Sequence, residues 1–411
     1  MRRLRANIPL WFHPAIVLWS IVYFVWTFFK TDPNLYFSTY PLLVQLQQSA
    51  WRVGENPLIV VCVYILLVLS GFAIYLVALK QQLKLSLLLL IVPLLLLASN
   101  VALSHDLFNY MFNAKALVHY QQDPHVRSAL EVAPTDEWLR FMHNVHTTAP
   151  YGKFWTYLTT IPFFLGLGRF LTTYLSFKLF MGIGVACLAV AQFKLYQLKG
   201  TSKYSLGWRW FFFNPLFLIE TFSSGHNDVW MMVFVFSSFW LLEKAKRKSV
   251  LITLLSFILI LLSTQIKLAT VVLLPVWMLL WFVQTVRLKN ASLNGVIKLF
   301  ENYWAEISAF LLLLPLLTSR SQQFHPWYLI WALSFLPFIK NSQFRLLLLL
   351  LSFTSLLRYI PFLWVGEYSA TLLSQSQFIT WSAVPIWILI LLLIHFRDRL
   401  RYNESRVENA S

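Results

Sequence analysis

Charged residues are scarce in this chain. Only 12% of its 411 residues are Asp, Glu, Lys or Arg, whereas 58% are hydrophobic. A soluble domain would carry roughly twice that charged fraction. Apolar runs of about 15 to 22 residues recur along the chain, and helices of about that length cross a bilayer. The composition excludes a soluble globular protein and predicts an all-α, polytopic helical membrane protein.

Cysteine is nearly absent. The chain has two cysteines, Cys62 and Cys187, and each lies inside an apolar run. A disulfide framework or a cysteine-based metal centre needs more cysteines at characteristic spacings. Both classes of site are therefore excluded, and the two thiols are interpreted as packing residues.

Acidic residues are also few, with 16 Asp and Glu against 33 Lys and Arg, which gives a formal net charge of +17. A strongly basic chain can bind nucleic acid. Here, however, the cations gather in short segments between apolar runs, as the positive-inside rule describes, and such segments attract anionic lipids. The charge therefore predicts contact with membrane lipids and no nucleic-acid partner.

The apolar runs predict about twelve transmembrane helices. The segment 154–168 is apolar but short, and we expect it to re-enter the membrane or to lie along it. The whole chain, residues 1–411, is predicted to be a single membrane domain. The predicted spans cover residues 13–30, 57–79, 84–103, 171–196, 208–222, 228–243, 249–263, 267–286, 304–318, 326–339, 345–363 and 376–396.

The Lys and Arg residues predict the orientation in the membrane. Alternate loops are rich in cations, for example 244–248 and 397–401, which places both termini in the cytoplasm. The opposite, outer face then holds a large loop at 104–152 and the unusual polar motifs of the chain. Because independent loops rarely converge on one chemistry by chance, a single extracytoplasmic site lined by several loops is predicted.

The most informative motif is Ser104-His105-Asp106, directly after a long apolar run. An ionisable group at a membrane boundary is costly unless it is solvated or paired, and it is a functional candidate. From Asp106 onward, a helical period places Asn109 and Asn113 on the same face, with Tyr110 beside them. We expect an amphipathic helix on the outer membrane surface, with Asp106 as the catalytic candidate. The alternative is that Asp106 only caps the helix.

A second motif, Gly225-His226-Asn227-Asp228, follows Pro215 and Glu220. Pro215 should break or bend its helix, because proline cannot donate the backbone hydrogen bond. Glu220 then lies near the outer leaflet, and the motif collects an imidazole, an amide and a carboxylate at one helix start. Glu220 and the last three residues of the motif are substrate-binding candidates. A plain N-terminal cap is the alternative for Asp228.

Two cations and two aromatic residues complete the candidate set. Lys267 opens a span and Arg358 lies toward the outer part of its span, so either could bind a phosphate near the lipid headgroups. A lysine that snorkels to the interface is the alternative. Trp327 and Tyr328 suit a sugar face or an isoprenoid tail, or they belong to an aromatic interface belt.

The sequence leaves a divalent metal ion open as a cofactor. His143 and His146 have a spacing that allows a metal pair, but no third ligand stands out in helical register. Carboxylates on separate loops could also hold a divalent cation.

Taken in order, these motifs resemble those of the polyprenol-phosphate-mannose-dependent mannosyltransferases of the GT-C glycosyltransferase superfamily. That family has an acidic residue early in its first large outer loop, then a tyrosine, an Asn/Asp-Pro turn and a Pro-Tyr-Gly motif with a tryptophan. It continues with Asn-Pro-Leu, a glutamate, Gly-His-Asn-Asp, a lysine that opens a later span, and Pro-Trp-Tyr. The matching residues are Asp106, Tyr110, Asp123-Pro124, Pro150-Tyr151-Gly152, Trp155, Asn214-Pro215-Leu216, Glu220, Gly225-His226-Asn227-Asp228, Lys267 and Pro326-Trp327-Tyr328.

The resemblance implies a GT-C-like fold and a glycosyltransferase of the cell membrane. It implies transfer of a sugar, expected to be mannose, from a polyprenyl-phosphate donor to a glycan or glycolipid acceptor at the outer face. Asp106 is then the candidate base, Lys267 or Arg358 stabilises the leaving phosphate, and Tyr151 joins the substrate-binding candidates. One nominated base implies a single displacement that inverts the anomeric configuration.

The alternative function is that of a polytopic transporter or a lipid-linked-sugar flippase. Such a protein should carry polar residues near mid-bilayer and internal repeats. In this sequence the polar motifs cluster at one face, and no repeat is evident. A ligase or polymerase of lipid-linked glycans would have a similar site and a different donor.

Overall fold

The regular structure of the described part of the chain is helical. The structure, a computed structural model, describes residues 9–31, 41–80, 87–199, 204–245, 249–285, 291–318, 324–367 and 369–408. Within these ranges the regular elements are all helices, which confirms the all-α prediction. The α-helices are α1 Phe12–Thr27, α2 Pro41–Gly54, α3 Pro57–Lys80, α4 Leu87–Ala98, α5 Asp106–Val118, α6 Ala129–Val132, α7 Lys153–Leu165, α8 Phe170–Lys199, α9 Tyr204–Phe212, α10 Pro215–Leu218, α11 Asp228–Ala245, α12 Val250–Thr264, α13 Leu274–Thr285, α14 Ala291–Leu313, α15 Leu329–Leu333, α16 Ser342–Leu357, α17 Ile360–Val365, α18 Ala370–Trp381 and α19 Ala383–Glu408. Short 3₁₀-helices cover Phe28–Lys30, Glu137–Phe141, Leu268–Leu273, Leu314–Leu317 and Pro326–Tyr328, and a π-helix covers Ile219–Ser223.

Several helices have the length and composition to cross a membrane. In the described ranges, five long ones are Phe12–Lys30, Pro57–Lys80, Phe170–Lys199, Ser342–Val365 and Ala370–Arg399. Shorter apolar helices cover Leu89–Ala98, Val250–Thr264 and Leu268–Gln284. These helices support a multi-pass membrane protein, whereas the count of about twelve spans stays a prediction. The first residues of the span predicted at 84–103 lie outside the described residues.

The segment predicted as one span at 208–222 is broken. The Asn214 side chain accepts a backbone N–H and starts the short helix α10 at Pro215. Proline suits this first helical position, because its missing N–H would have no helical partner there. After one turn, α10 runs into the π-helix Ile219–Ser223, a rare geometry that is frequent at functional sites. The break predicted at Pro215 is confirmed, and Glu220 lies on the π-helix.

A buried lysine in α8 supports this π-helix. The residue is Lys178, which is 2% exposed. Its ammonium donates to the carbonyl of Phe222 at 2.6 Å and to that of Ser223. These carbonyls end a helix and need donors, and a buried cation needs oxygen partners. Sequence analysis missed this residue, although a lone lysine inside an apolar run is a signal.

Helix α7 is the apolar segment that was expected not to cross the membrane. It packs against α5 and α8. Its 13 residues are fewer than the roughly 20 that a crossing helix needs. The length of α7 agrees with that expectation.

Helix α5 begins at Asp106, as predicted, and ends at Val118. Protein covers both of its faces, because Asn109 and Asn113 are only 6% and 7% exposed and the apolar face is buried as well. Helices α6, α7 and α8 pack around it. The amphipathic helix expected here is therefore enclosed by other parts of the protein, and its position on the outer surface of the membrane stays a prediction.

A largely buried ion pair docks this loop on α5. The Lys115 ammonium lies 2.5 Å from the Asp136 carboxylate and 4.1 Å over the ring of Trp138. The same carboxylate accepts the hydroxyl of Tyr120 at 2.7 Å. The pair therefore ties the middle of the loop to the helix that begins at Asp106.

The C-terminal end of the loop 104–152 hydrogen bonds to the backbone at Ile266, just before the 3₁₀-helix Leu268–Leu273. The N–H of Gly152 donates to the carbonyl of Ile266 at 3.1 Å. A Cβ atom at Gly152 would lie 2.0 Å from the carbonyl oxygen of Gln265, which is too close for any side chain. Glycine is required for this approach, which brings the neighbouring Tyr151 ring to the Lys267 ammonium.

Gly152→Ala should destabilise the protein, because the two backbone segments would have to separate. We expect the unfolding midpoint of the detergent-solubilised protein to fall by several degrees. Gly295→Ala is the matched control, since a Cβ there meets nothing within 4 Å. It should leave the midpoint unchanged or raise it slightly, because alanine favours a helix over glycine. Equal midpoints for the two variants would contradict the close contact.

Candidate active site

A cavity of about 560 Å³ opens beside the first turn of α5. Its volume falls in the range of about 300–1,000 Å³ that is common for small-molecule sites. Three of the residues predicted for the site, Asp106, Asn109 and Trp327, line it. The lining residues are Ala102, Leu103, Ser104, His105, Asp106, Asn109, Met142, His143, Asn144, His325, Trp327 and Phe362.

Asp106 supplies a carboxylate to the cavity wall. His105 occupies the capping position of α5 and Asp106 is the first helical residue, with its N–H donating to Oγ of Ser104 at 3.3 Å. Asp106 therefore does not occupy the capping position that the alternative assigned to it. The Oδ2 atom of Asp106 lies 3.5 Å from the Tyr110 hydroxyl and 3.5 Å from Nδ1 of His226. The side chain keeps 18% of its surface exposed. It can therefore contact a ligand in the cavity.

The surroundings of Asp106 keep it ionised. Burial alone would raise the pKa of its carboxyl, but His226, Lys267 and Tyr151 outweigh burial and lower the pKa to about 2. Positive charges and hydrogen-bond donors favour the charged form of a carboxyl group. At neutral pH, Asp106 is a carboxylate that accepts hydrogen bonds and protons.

His226 lies between two carboxylates. Its Nδ1 atom is 3.5 Å from Oδ2 of Asp106, and its Nε2 atom is 3.3 Å from Oε2 of Glu220. His226 and Glu220 are both 0% exposed, and the Tyr359 hydroxyl donates to the other Glu220 oxygen at 2.9 Å. Neither His226 nor Glu220 lines the cavity. The structure therefore does not place these two predicted residues where a substrate would contact them.

The indole of Trp327 is stacked between two imidazoles. Its centroid lies 3.8 Å from that of His226 at an interplanar angle of 15°, and 4.3 Å from that of His325 at 8°. Two near-parallel rings at these distances cannot share one face, so they cover both faces of the indole. Trp327 lines the cavity but is only 7% exposed, and its contact with a sugar face or an isoprenoid tail stays a prediction.

Asp228 and Lys267 form a second buried ion pair. The Lys267 ammonium donates to both carboxylate oxygens, at 2.8 and 2.9 Å, and the indole of Trp331 donates to one of them. Asp228 is fully buried, and the Lys267 side chain is 11% exposed. The ammonium also lies 5.9 Å and 5.1 Å from the ring centroids of Tyr151 and Tyr328, within cation–π range. Asp228 is therefore more than a plain N-terminal cap, since its carboxylate binds Lys267. Lys267 binds this buried carboxylate and does not extend to the membrane interface, as a snorkelling lysine would.

Tyr110 joins the two clusters. Its hydroxyl faces Asp106 at 3.5 Å and accepts the N–H of Asn227, also at 3.5 Å. Its ring packs edge-on against Tyr151, with 4.9 Å between centroids. The Asp106 cluster and the Lys267 ion pair are thus connected through Tyr110 and Tyr151, whereas only Asp106 of these charged groups lines the cavity, and the single site lined by several loops stays a prediction. The ion pair itself lies behind the cavity wall.

The remaining predicted residues differ in position. Asn109 lines the cavity, and its Oδ1 atom has no hydrogen-bond partner among the described residues. Asn113 and Asn227 are buried and do not line it. Arg358 lines a neighbouring cavity of about 40 Å³, which shares Trp327 with the larger one.

Three histidines that were not among the predicted substrate-binding residues also line the cavity, namely His105, His143 and His325, of which His143 was considered only as part of a metal pair. His105 hydrogen bonds through Nδ1 to the carbonyl of Phe141 at 2.8 Å, and its ring stacks on that of His143 at 3.8 Å. Burial lowers the pKa of His143 to about 4, so this imidazole is neutral at physiological pH. In the described ranges, no group of three His, Cys, Asp or Glu side chains is arranged to hold a metal ion. A signal was present, because His105 directly precedes Asp106.

Removing only one member of the buried ion pair should destabilise the protein. Lys267→Met leaves the Asp228 carboxylate without its cation, a change that typically costs about 3–5 kcal/mol. Asp228→Asn with Lys267→Met removes both charges and keeps an acceptor for Trp331. We expect this double variant to unfold at a higher temperature than Lys267→Met alone, measured in detergent.

Lys153→Met provides the comparison for that pair. Lys153 lies 3.1 Å from Asp123, with 58% and 38% of the two side chains exposed, and such surface pairs contribute about 0–1 kcal/mol. The unfolding midpoint of the Lys153→Met protein should therefore stay close to that of the unaltered protein. A double variant no more stable than Lys267→Met would contradict the charge-pairing argument.

Comparison with known proteins assigns the chain to a family. The model of the MptA_B family, described as Alpha-(1->6)-mannopyranosyltransferase, N-terminal domain, matches residues 77–283, about half of the chain. The matched segment contains Asp106, Glu220, His226 and Lys267. No curated protein and no solved structure gives a significant match. The match confirms the expected mannosyltransferase class and argues against a transporter or flippase. The chain belongs to the MptA/B family of alpha-(1->6)-mannopyranosyltransferases, which are hexosyltransferases.

Proposed function

We propose that the chain transfers mannose from a polyprenyl-phosphate donor to a glycan or glycolipid acceptor at the extracytoplasmic face, with Asp106 as the general base. The observation that carries this proposal is the position of the Asp106 carboxylate, which is ionised, 18% exposed and part of the cavity wall. Among the described residues, no second carboxylate lines that cavity. A single-displacement glycosyltransferase needs one such proton acceptor.

In the proposed reaction, the acceptor hydroxyl oxygen attacks C1 of the donor mannose. The bond from C1 to the phosphate oxygen breaks, its electron pair leaves on polyprenyl phosphate, and the hydroxyl proton passes to Asp106. The hydroxyl becomes strongly acidic as it bonds to an oxocarbenium-like carbon, so a carboxylate of low pKa suffices. Attack opposite the leaving group inverts the configuration at C1, and an α product then requires a β-linked donor.

Arg358 is the cation we assign to the donor phosphate. The small cavity that it lines shares Trp327 with the larger one. A phosphate beside Arg358 would direct the mannosyl carbon toward Asp106, and a guanidinium matches phosphate oxygens and the charge that develops on them. Lys267 already binds both oxygens of Asp228. Its role is therefore to support the charge on Asp106 and not to hold the phosphate.

We assign the site to the extracytoplasmic side because the loops that carry it alternate with cation-rich loops. Lys80, Lys244 and Lys340 stand in those cation-rich loops, which the positive-inside rule places in the cytoplasm. A donor with a polyprenyl tail remains in the membrane. A site at the membrane boundary can receive its phosphate while the tail stays among the helices.

Asp106→Asn should reduce mannosyl transfer by at least about 100-fold, in line with the 10²–10⁴ that general bases contribute. Asparagine keeps the shape of the side chain but cannot take up the proton. The assay is transfer of radiolabelled mannose from polyprenyl-phosphate mannose to octyl α-mannoside in proteoliposomes.

Asp123→Asn is the matched control for that assay. Asp123 accepts from Lys153 in an exposed ion pair and does not line the cavity, so its transfer rate should stay within about twofold of normal. If the Asp106→Asn protein is folded and transfers mannose at the normal rate, Asp106 is not the base.

Cysteine labelling tests the predicted face. In a chain with Cys62 and Cys187 replaced by alanine, Thr148→Cys should react with a membrane-impermeant maleimide in intact cells, because Thr148 is exposed in the loop 104–152. Ser342→Cys, at the exposed start of α16, should react only after the cells are lysed. The reverse pattern would assign the site to the cytoplasmic face.

A further inference from the structure

We infer that His226 and Glu220 form a buried relay that positions Asp106, so that both residues act through this carboxylate and not by contact with substrate. The inference rests on the proposed function of Asp106 as the base. It differs from the sequence-based expectation, in which Glu220 and His226 bind a sugar directly.

Asp106, His226 and Glu220 form a row of three residues, of which only Asp106, at one end, reaches the cavity. Asp106 lines the cavity with 18% of its side chain exposed, whereas His226 and Glu220 are 0% exposed. The two nitrogen atoms of His226 face the two carboxylates, at 3.5 Å and 3.3 Å. A ligand in the cavity therefore meets Asp106 first, and the other two residues lie behind it.

Both the backbone and the ring of His226 are fixed. Gly225 has φ of +72°, a conformation that favours glycine, and a Cβ there would lie 2.9 Å from the Leu107 side chain. The N–H of His226 donates to the carbonyl of Glu220 at 3.2 Å. The stacked indole of Trp327 holds the plane of the ring. The imidazole is therefore held with Nδ1 nearest Asp106 and Nε2 nearest Glu220, within ion-pair distance of each carboxylate.

Glu220 is held from its other side. The Tyr359 hydroxyl donates to Oε1 at 2.9 Å and leaves Oε2 facing the imidazole. The π-helix that carries Glu220 is held by the ammonium of Lys178 through the carbonyls at its end. These contacts come from α8 and from the turn between α16 and α17, so Glu220 is a fixed partner for His226.

The chemistry of this row explains how the base would be reset after each reaction. Burial alone would lower the pKa of His226, but Asp106 and Glu220 raise it and favour the imidazolium. When Asp106 takes up the acceptor proton, its charge disappears, and Glu220 alone then balances the imidazolium. The remaining positive charge beside Asp106 promotes loss of the new proton to solvent through the cavity. Other titratable or charged groups surround the row: Tyr23, Tyr64, His105, Tyr110, His143, Tyr151, Asp228, Lys267, His325, Tyr328, Arg358 and Tyr359.

His226→Gln tests the inference, because glutamine keeps a donor but cannot carry the charge. We expect kcat for transfer from polyprenyl-phosphate mannose to octyl α-mannoside to fall by about 10- to 100-fold, as for residues that orient a reacting group. The KM of each substrate should change little. Without the adjacent positive charge, the pKa of Asp106 rises, so activity should be lost at a higher pH on acidification, by about one unit or more.

Glu220→Gln is the second variant and also serves where His226→Gln does not fold. It keeps a partner for Tyr359 and removes the charge that stabilises the imidazolium. It should lower kcat and move the acid limb in the same direction, by less than His226→Gln. His119→Gln, at the exposed end of α5, is the control and should leave kcat and the pH profile unchanged.

The double variant Asp106→Asn/His226→Gln separates positioning from direct contact. If His226 acts only through Asp106, the second substitution should cause no further loss of the residual transfer measured in long incubations. A further loss, or a single variant with raised KM and normal kcat, would overturn the inference. Normal transfer by Asp106→Asn alone would instead refute the base assignment in the proposed function.

Discussion

The site depends on the requirement that a charge removed from water must be paired. Asp106, His226 and Glu220 pair in one row, and Lys267 pairs with Asp228. These groups come from three separate segments of the chain, around Asp106, at 220–228 and at Lys267, so pairing Asp106 with His226 and Lys267 with Asp228 also determines which segments meet. A buried ion left without its partner would cost several kcal/mol. The polar contacts thus determine the arrangement of the loops as well as the chemistry.

This requirement matters more in a membrane protein than in a soluble one. Apolar helix faces pack against lipid tails about as well as against each other, so hydrophobicity alone selects few partners. Irregular backbone is tolerated at membrane depth only where protein or water satisfies it. The π-helix of Ile219–Ser223 meets this condition, because the buried ammonium of Lys178 binds its final carbonyls. A single cation in α8 thereby makes the unusual backbone around Glu220 possible.

Local features of the fold were predictable from sequence, and contacts between distant segments were not. The start of α5 at Asp106 and the break at Pro215 follow from periodicity and from proline chemistry within a few residues. The contact of Tyr359 with Glu220 joins residues 139 positions apart, and no local pattern indicates it. The polar stripe on α5 was predictable from periodicity, but its burial was not, because periodicity cannot distinguish a face in contact with solvent from a face that other parts of the protein enclose.

The residues of the candidate site fall partly inside and partly beyond the segment that the family model matches. This distribution indicates which of them could be substituted without moving Asp106. The family match over residues 77–283 includes Asp106, His226 and Lys267, the residues to which we assign the proton chemistry. Trp327 and Arg358 lie beyond it, and they line the smaller cavity assigned to the donor phosphate. Trp327 also stacks on His226, so the C-terminal part fixes the group behind the base. Changes around the smaller cavity could therefore alter donor recognition without moving Asp106, provided that the stacking on His226 is kept.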